Sequence, residues 1–466
     1  MMQSLVYSLK LKKNALKIIC IIALLYRFFP NGLSTHYYME TISLFNSSGE
    51  VREKLGGIDA GQLLDASITF SQFQQLDQET QFWIARVWSL GISAFQVPAI
   101  WLEQLNVPFT FTMVSLSCGL WLTLIFLIFR LIQNNNSRII FAVLFISFLY
   151  SFDGNFLFSE FPFNPESIAL ALNLISLTIL INELVGQKFR FKNLVLSGFV
   201  LGMSIWVRYT IDFAVIGIWI VSCISLVSSY VKNLHSKPEI MALTPIGRKK
   251  LQDRNFLKTI VIAFSIALIF TLPIRLSNQF IYGGKPMMMS SSQELMGANL
   301  WAKIDSPHAL YWDKTGMNWA CKLEPVKCSS LDLSNTKSST LVEFAVIAAV
   351  TNPYEYLQNR LSHFYSNHTG ILSNNGLFFI YSLFQLALII AIPILLFFKK
   401  ISKKKLLVTI WAPFILLQYL TFLIVHYETR YFVPLHVFNL SLLFSILHFG
   451  LNFRLPRNEN QANIKA

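Results

Sequence analysis

The sequence predicts an all-α polytopic membrane protein with about ten transmembrane helices and amphipathic surface helices in two long external loops. Two observations carry the fold class. Of 466 residues, 54% are hydrophobic and 13% charged, with 41 Phe and 10 Trp. A soluble chain carries about 25% charged residues. The apolar residues also fall in runs near the length that spans a bilayer, separated by short basic segments. The net charge of +14 is therefore a loop property. It is not the basic patch of a nucleic-acid binder, and no nucleic-acid partner is expected.

The candidate spans lie near 15–30, 109–132, 138–153, 166–184, 193–208, 211–231, 258–276, 373–398, 405–426 and 431–450. The first follows Lys10, Lys12, Lys13 and Lys17 and reads "IICIIALLYRFF". No small-residue cleavage site follows it, so it reads as an uncleaved helix. The fifth is short, and Gly198 and Gly202 suit close approach to a neighbouring helix. With the N-terminus in the cytoplasm, "NNNSR", "GQKFRFK", the segment 232–257, "KKISKKK" and "FRLPR" all fall inside, which satisfies the positive-inside rule. The segment 232–257 reads as a solvated cytoplasmic loop and 451–466 as a cytoplasmic tail, leaving 1–450 as the membrane domain.

Segments 31–108 and 277–372 then lie outside. Both carry apolar residues at helical spacing between polar ones, as in "TQFWIARVWSLGISAFQVPAIWLEQL" and "NPYEYLQNRLSHFYSNH". That pattern suits helices lying on the membrane surface. Cys321 and Cys328 share the second loop, either as a disulfide or as free thiols.

The same topology gathers ionisable residues on the external face. Asp59 and Asp65 lie in the first loop, and Asp153, Glu160 and Glu166 between the third and fourth spans. Arg208 and Asp212 flank the fifth-to-sixth turn, and Glu428 and Arg430 the ninth-to-tenth. Charges at a membrane edge are costly, so their collection on one side points to a polar cavity reached from lipid. Arginine forks match phosphate oxygens, and a nearby carboxylate can serve as a general base. Each residue also has a structural explanation. Asp59 suits a helix N-cap, Glu166 the acidic first turn of a helix, Arg208 an interface anchor, and Glu428 with Arg430 a surface ion pair. The spacing of His363, His368, His426 and His436 does not suggest a metal site.

In their order these features resemble the GT-C superfamily of integral membrane glycosyltransferases, those similar to protein O-mannosyltransferases and lipid A aminoarabinose transferases. The resemblance covers most of the chain. It rests on an Asp in the first loop followed by amphipathic helices, "WSLG" at Trp88–Gly91, the acid of "FNPESIALALNLISL", and the Arg of "WVRYT". It ends with "NPYEYL" and an E-x-RY-x-x-P pattern at Glu428, Arg430, Tyr431 and Pro434. Where relatives often have an acidic pair, this chain has a lone Asp59 with Asp65 six residues on, and "WSLG" lacks their Pro.

The resemblance implies transfer of a sugar, with inversion, from a polyprenyl-phosphate donor to a lipid, glycan or protein acceptor. Asp59 is the expected base, with Asp65 the alternate. Arg430 and Arg208 are expected to bind the donor phosphate, and Glu166, Glu428 and Tyr431 to line the cavity. No cofactor is required, and a divalent metal is compatible with such a site. The expected location is a bacterial inner membrane, with membrane lipids as surroundings and the site facing the periplasm. A polysaccharide polymerase or ligase is the alternative with a shared substrate. A lipid-linked-sugar transporter or flippase is the alternative of another class, although no repeated halves are visible.

Overall fold

A computed structural model of the protein describes residues 14–28, 105–151, 165–186, 190–232, 245–280, 376–398, 414–416 and 429–451, apart from single residues and pairs in turns. Isolated positions within 95–102, 154–158 and 350–361 are also described. Among the described residues the chain is helical apart from turns, and no strand occurs. The helices are α1 (14–28), α2 (Phe109–Leu131), α3 (Asn135–Leu149), α4 (Pro165–Gly186), α5 (Phe191–Val207), α6 (Asp212–Lys232), α7 (Pro245–Phe280), α8 (Gly376–Phe398) and α9 (Thr429–Leu451).

Four of these helices contain stretches long and apolar enough to cross a membrane: Phe111–Leu131, Glu166–Val185, Asp212–Val231 and Asp253–Leu276. Shorter apolar stretches occupy α3, α5, and the segments Leu383–Leu395 and Val433–Phe449. The described residues thus form a helical bundle of membrane-protein character with four candidate spans, and the expected count of ten spans is not reached among them. The predicted span 405–426 lies outside the described residues except at 414–416, as do most of segments 31–108 and 277–372.

One boundary differs from expectation. The segment 232–257 was expected to be loop throughout, but α7 begins at Pro245 and runs 36 residues to Phe280. Proline at the first helical position is pre-set for helix, and Arg248, Lys249, Lys250, Leu251 and Gln252 are good helix formers. At 1.5 Å per residue such a helix is about 54 Å long, well beyond a hydrocarbon core of about 30 Å. Its polar first turns extend the span instead of forming a linker.

The helices are packed around α4, whose spanning window is 67% buried, against 22% for α6. Helix α4 packs on α2 and α5, α5 on α7, α7 on α6, and α9 on α3 and α8. Lipid supplies no hydrophobic drive between helices, so small residues and interhelical hydrogen bonds take that role. Between α4 and α5, Ser176 Oγ donates to the Ser197 carbonyl (2.7 Å) and Ser197 Oγ to the Ser176 carbonyl (3.0 Å). Further along, Ser204 Oγ lies 2.9 Å from the Ala169 carbonyl and 2.6 Å from Asn173 Oδ1. Between α2 and α4, Trp121 Nε1 donates to Ser167 Oγ (3.1 Å), which also lies 3.1 Å from Ser117 Oγ.

The other side of α5 carries Gly198 and Gly202, and here the sequence reading holds: the neighbour they admit is α7. A Cβ on Gly198 would collide with the Ala263 carbonyl and come within 2.7 Å of Ile266 Cβ. Away from these contacts α6 leaves Ile220, Val221, Ile224, Val227 and Val231 exposed, the surface expected of a helix facing hydrocarbon.

Candidate functional site

Two buried ion pairs sit at one end of the α4–α7 group. The first follows from the α4–α5 hairpin. Pro165 opens α4, and Glu166 occupies its first turn, where the helix dipole favours acid. Helix α5 runs back antiparallel and ends at Arg208, its C-cap, in extended conformation (φ −151°, ψ 114°) with its N–H bonded to the Ser204 carbonyl at 2.9 Å. The start of α4 is thereby set beside the end of α5. Arg208 Nη2 lies 2.9 Å from Glu166 Oε1, and the two residues are 6% and 3% exposed.

The second pair begins four residues later. Asp212 opens α6, and Arg275 reaches it from the last part of α7. Arg275 Nη1 donates to Asp212 Oδ2 at 3.1 Å, Nη2 contacts Oδ1, and Nε donates to Thr271 Oγ1 at 3.0 Å. This is the bidentate arginine–carboxylate fork, with both residues almost wholly buried. The two pairs are tied together through α5 and α7. Trp206 Nε1 donates to the Phe270 carbonyl at 3.0 Å, and the two rings stack with centroids 4.9 Å apart.

Two further polar clusters brace the opposite end. Glu183 accepts from the Arg190 backbone N–H (3.2 Å) and from Asn193 Nδ2 (2.5 Å), which closes the α4–α5 turn. Arg138 Nε and Nη2 donate to the Ile132 carbonyl (2.9 and 2.5 Å) and Nη1 to Asn135 Oδ1 (3.1 Å), which closes the α2–α3 turn. His448 Nδ1 lies 2.8 Å from Ser137 Oγ, joining α9 to α3. Beside it an apolar cavity of about 210 Å³ opens between α2, α3, α4 and α9, with Trp121, Phe145, Leu174, Phe444 and His448 among its walls. The two ion pairs do not line this cavity.

Of the residues singled out from sequence, the structure brings Glu166 and Arg208 together, as partners of each other, and pairs Asp212, four positions further along the chain, with Arg275. Arg430 and Tyr431 lie in the first turn of α9, with their side chains outside the described residues. Asp59, Asp65, Glu428, Asp153, Glu160, Trp88, Cys321 and Cys328 lie outside the described residues altogether.

Arg275 was missed. Its signal was present, because an Arg at the end of the seventh span opposite the basic loops violates the positive-inside pattern just as Arg208 does. Hidden in the apolar-looking run "TLPIRLSNQF", it was absorbed into the span.

No protein-family model, curated protein or solved structure matches the chain.

Proposed function

We propose that the protein is a membrane glycosyltransferase of GT-C type. It moves a sugar from a polyprenyl-phosphate donor to an acceptor on the face opposite its basic loops. The observation that supports this reading is the pairing of Glu166 with Arg208 beside Asp212 and Arg275 at one end of the bundle. Four ionisable groups buried in the bundle of a membrane protein are expensive, and such groups mark a functional face by default. Under the topology read from the basic loops, this end is the external one.

In the proposed reaction an acceptor hydroxyl or amine loses its proton to Asp59, with Asp65 the alternate base. Its lone pair attacks the anomeric carbon as the bond to the lipid-phosphate oxygen breaks. The configuration inverts, and the lipid phosphate departs with the bonding pair. Arg430 and Arg208 hold that phosphate as its charge grows, where preorganised donors are most effective. Glu166 keeps the Arg208 guanidinium oriented between turnovers and shares it with the phosphate when donor binds. Glu428 and Tyr431 line the sugar side of the cavity. The chemistry needs no redox cofactor, and a divalent metal is compatible with it but not required.

The test is an in vitro transfer assay on the full chain with a panel of polyprenyl-phosphate sugars. Wild type is expected to transfer at least one of them. Asp59→Asn is expected to lose about 10²–10⁴-fold, the range of general-base catalysis. Arg430→Ala and Arg208→Ala are expected to lose a comparable factor through the leaving group. Full activity in Asp59→Asn would move the base elsewhere. A wild type that carries lipid-linked sugar across vesicles without transferring it would replace the transferase by a flippase.

A further inference from the structure

A second candidate binding site lies on the opposite face of α2, at the other end of the bundle. There α1 and α2 border a cleft of about 600 Å³ lined by Asn14, Lys17, Thr123, Phe126, Leu127, Phe129 and Arg130. That is about four times the 150 Å³ known to hold one benzene ring. The walls divide by depth. Arg130 is in the last turn of α2, and Asn14 is the first described residue of α1. Thr123 lies seven residues back along α2, about 10 Å deeper at 1.5 Å per residue. Phe126, Leu127 and Phe129 fill the depth between.

The cleft is cationic at its rim and apolar below. Lys17 Nζ lies 4.9 Å from the Phe126 ring centroid, so the aromatic face holds the ammonium over the cleft. Arg130 is exposed and Lys17 half-buried. Among the described residues neither forms an ion pair. The carbonyls at the end of a helix would ordinarily repel an anion. Here Arg138 already donates twice to the Ile132 carbonyl just past α2, which offsets that negative end.

From this arrangement we infer that the α1–α2 cleft binds the phosphate headgroup of an anionic phospholipid from the leaflet at which α2 ends. The phosphate lies between Lys17 and Arg130, the headgroup hydroxyls face Asn14, and the first acyl carbons run past Phe126 and Leu127 toward Thr123. A soluble phosphate would use the rim alone and leave the apolar depth unfilled, so the amphiphile is the better match. Charge-only attraction of basic residues to an acidic leaflet would need no cleft. The site predicts that position matters as well as charge.

The experiment measures binding of a fluorescent phosphatidylglycerol to the full-length protein in phosphatidylcholine nanodiscs. It also follows thermal unfolding with and without unlabelled phosphatidylglycerol. Wild type is expected to bind phosphatidylglycerol saturably and to unfold at a higher temperature with it than in phosphatidylcholine alone. Lys17→Gln and Arg130→Gln should each weaken binding about fivefold, and both together about 25-fold, at roughly 1 kcal/mol per basic residue. Lys192→Gln, an exposed cation at the start of α5, should leave binding within twofold. Equal losses in all three single variants would reduce the effect to diffuse surface charge and overturn the site. So would an unchanged affinity in the double variant, or an equal thermal shift from glycerol phosphate alone. If the double variant does not fold, Arg130→Gln suffices, because Arg130 is exposed and its loss empties no packed volume.

Discussion

Removing one partner of the Asp212–Arg275 pair should be among the most destabilising single changes in the described bundle. Arg275 is 2% exposed and Asp212 1%. The guanidinium engages both carboxylate oxygens and Thr271. Asp212→Ala leaves a buried cation without its carboxylate, and Arg275→Leu leaves a buried carboxylate without its fork. Either should cost about 3–5 kcal/mol. Replacing both by apolar residues of similar volume, Asp212→Leu with Arg275→Met, removes the unpaired charge as well as the bond. Such replacements elsewhere have been neutral or stabilising by about 1–4 kcal/mol. The double variant should therefore be more stable than either single one, and the summed single losses should exceed its loss by at least about 3 kcal/mol. Equilibrium unfolding of the four proteins in one detergent completes the cycle. Single losses below about 1 kcal/mol, the range of solvated surface pairs, would show that water reaches Asp212 and would refute its burial. An additive double variant would show that the two side chains do not act on each other. The same cycle at Glu166–Arg208, which meet at 2.9 Å, should give a coupling of the same sign.

The α5–α7 contact makes a graded prediction. Gly198→Ala meets backbone at the Ala263 carbonyl and should cost about 1–3 kcal/mol as overpacking. Gly202→Ala meets Phe270 Cδ1 at 2.8 Å and the Ala267 carbonyl at 3.0 Å, and part of that strain can be relieved by ring movement, so its cost should be smaller. Gly119→Ala meets nothing within 4 Å and should be neutral or stabilising by up to about 1 kcal/mol from helix propensity. Unfolding in detergent ranks the three, and a Gly119→Ala loss equal to that of Gly198→Ala would remove the packing explanation. At the α4–α5 turn, Glu183→Ala frees the Arg190 N–H and Asn193 Nδ2. It should cost about 1–3 kcal/mol and speed hydrogen exchange at the Arg190 amide more than elsewhere.

The helical class was legible because hydrocarbon leaves the backbone little choice. With no water to satisfy its polar groups, a spanning segment must bond to itself, so a run of apolar residues is already a helix. The boundaries at Pro165, Arg208 and Asp212 were legible for a related reason, since charge and proline mark where the chain leaves the apolar layer. The extension of α7 to Pro245 was not legible. Its first turns are polar, and polarity reads as loop when the eye is looking for spans. Nor could the sequence say which charges meet. Glu166 stands 42 positions from Arg208, and Asp212 stands 63 from Arg275. Both separations depend on which helices are neighbours. The sequence points Arg208 at substrate phosphate, and in the fold it pairs with Glu166.

That pairing changes what the candidate site must do. An arginine held in reserve for phosphate would be a buried cation without compensation in the absence of substrate, a state costing several kcal/mol. Glu166 supplies the compensation, so the bundle can fold with the cation in place. The same argument separates the two pairs by role. Asp212 and Arg275 are matched oxygen for nitrogen in a fork, and opening it would forfeit both contacts and the orientation that Thr271 gives. Glu166 and Arg208 meet at 2.9 Å at the C-cap of a helix, where the backbone is already extended. The forked pair is suited to fixing α6 against α7. The pair at the C-cap is the one whose arginine, at the end of its helix, is placed to turn toward an incoming anion. Arg208→Lys separates these demands: an ammonium can still neutralise Glu166 but cannot reproduce a planar fork on phosphate. The substitution should therefore keep the unfolding free energy within about 1 kcal/mol of wild type while lowering sugar transfer at least about tenfold. Loss of stability without a specific loss of transfer would assign Arg208 to the scaffold alone.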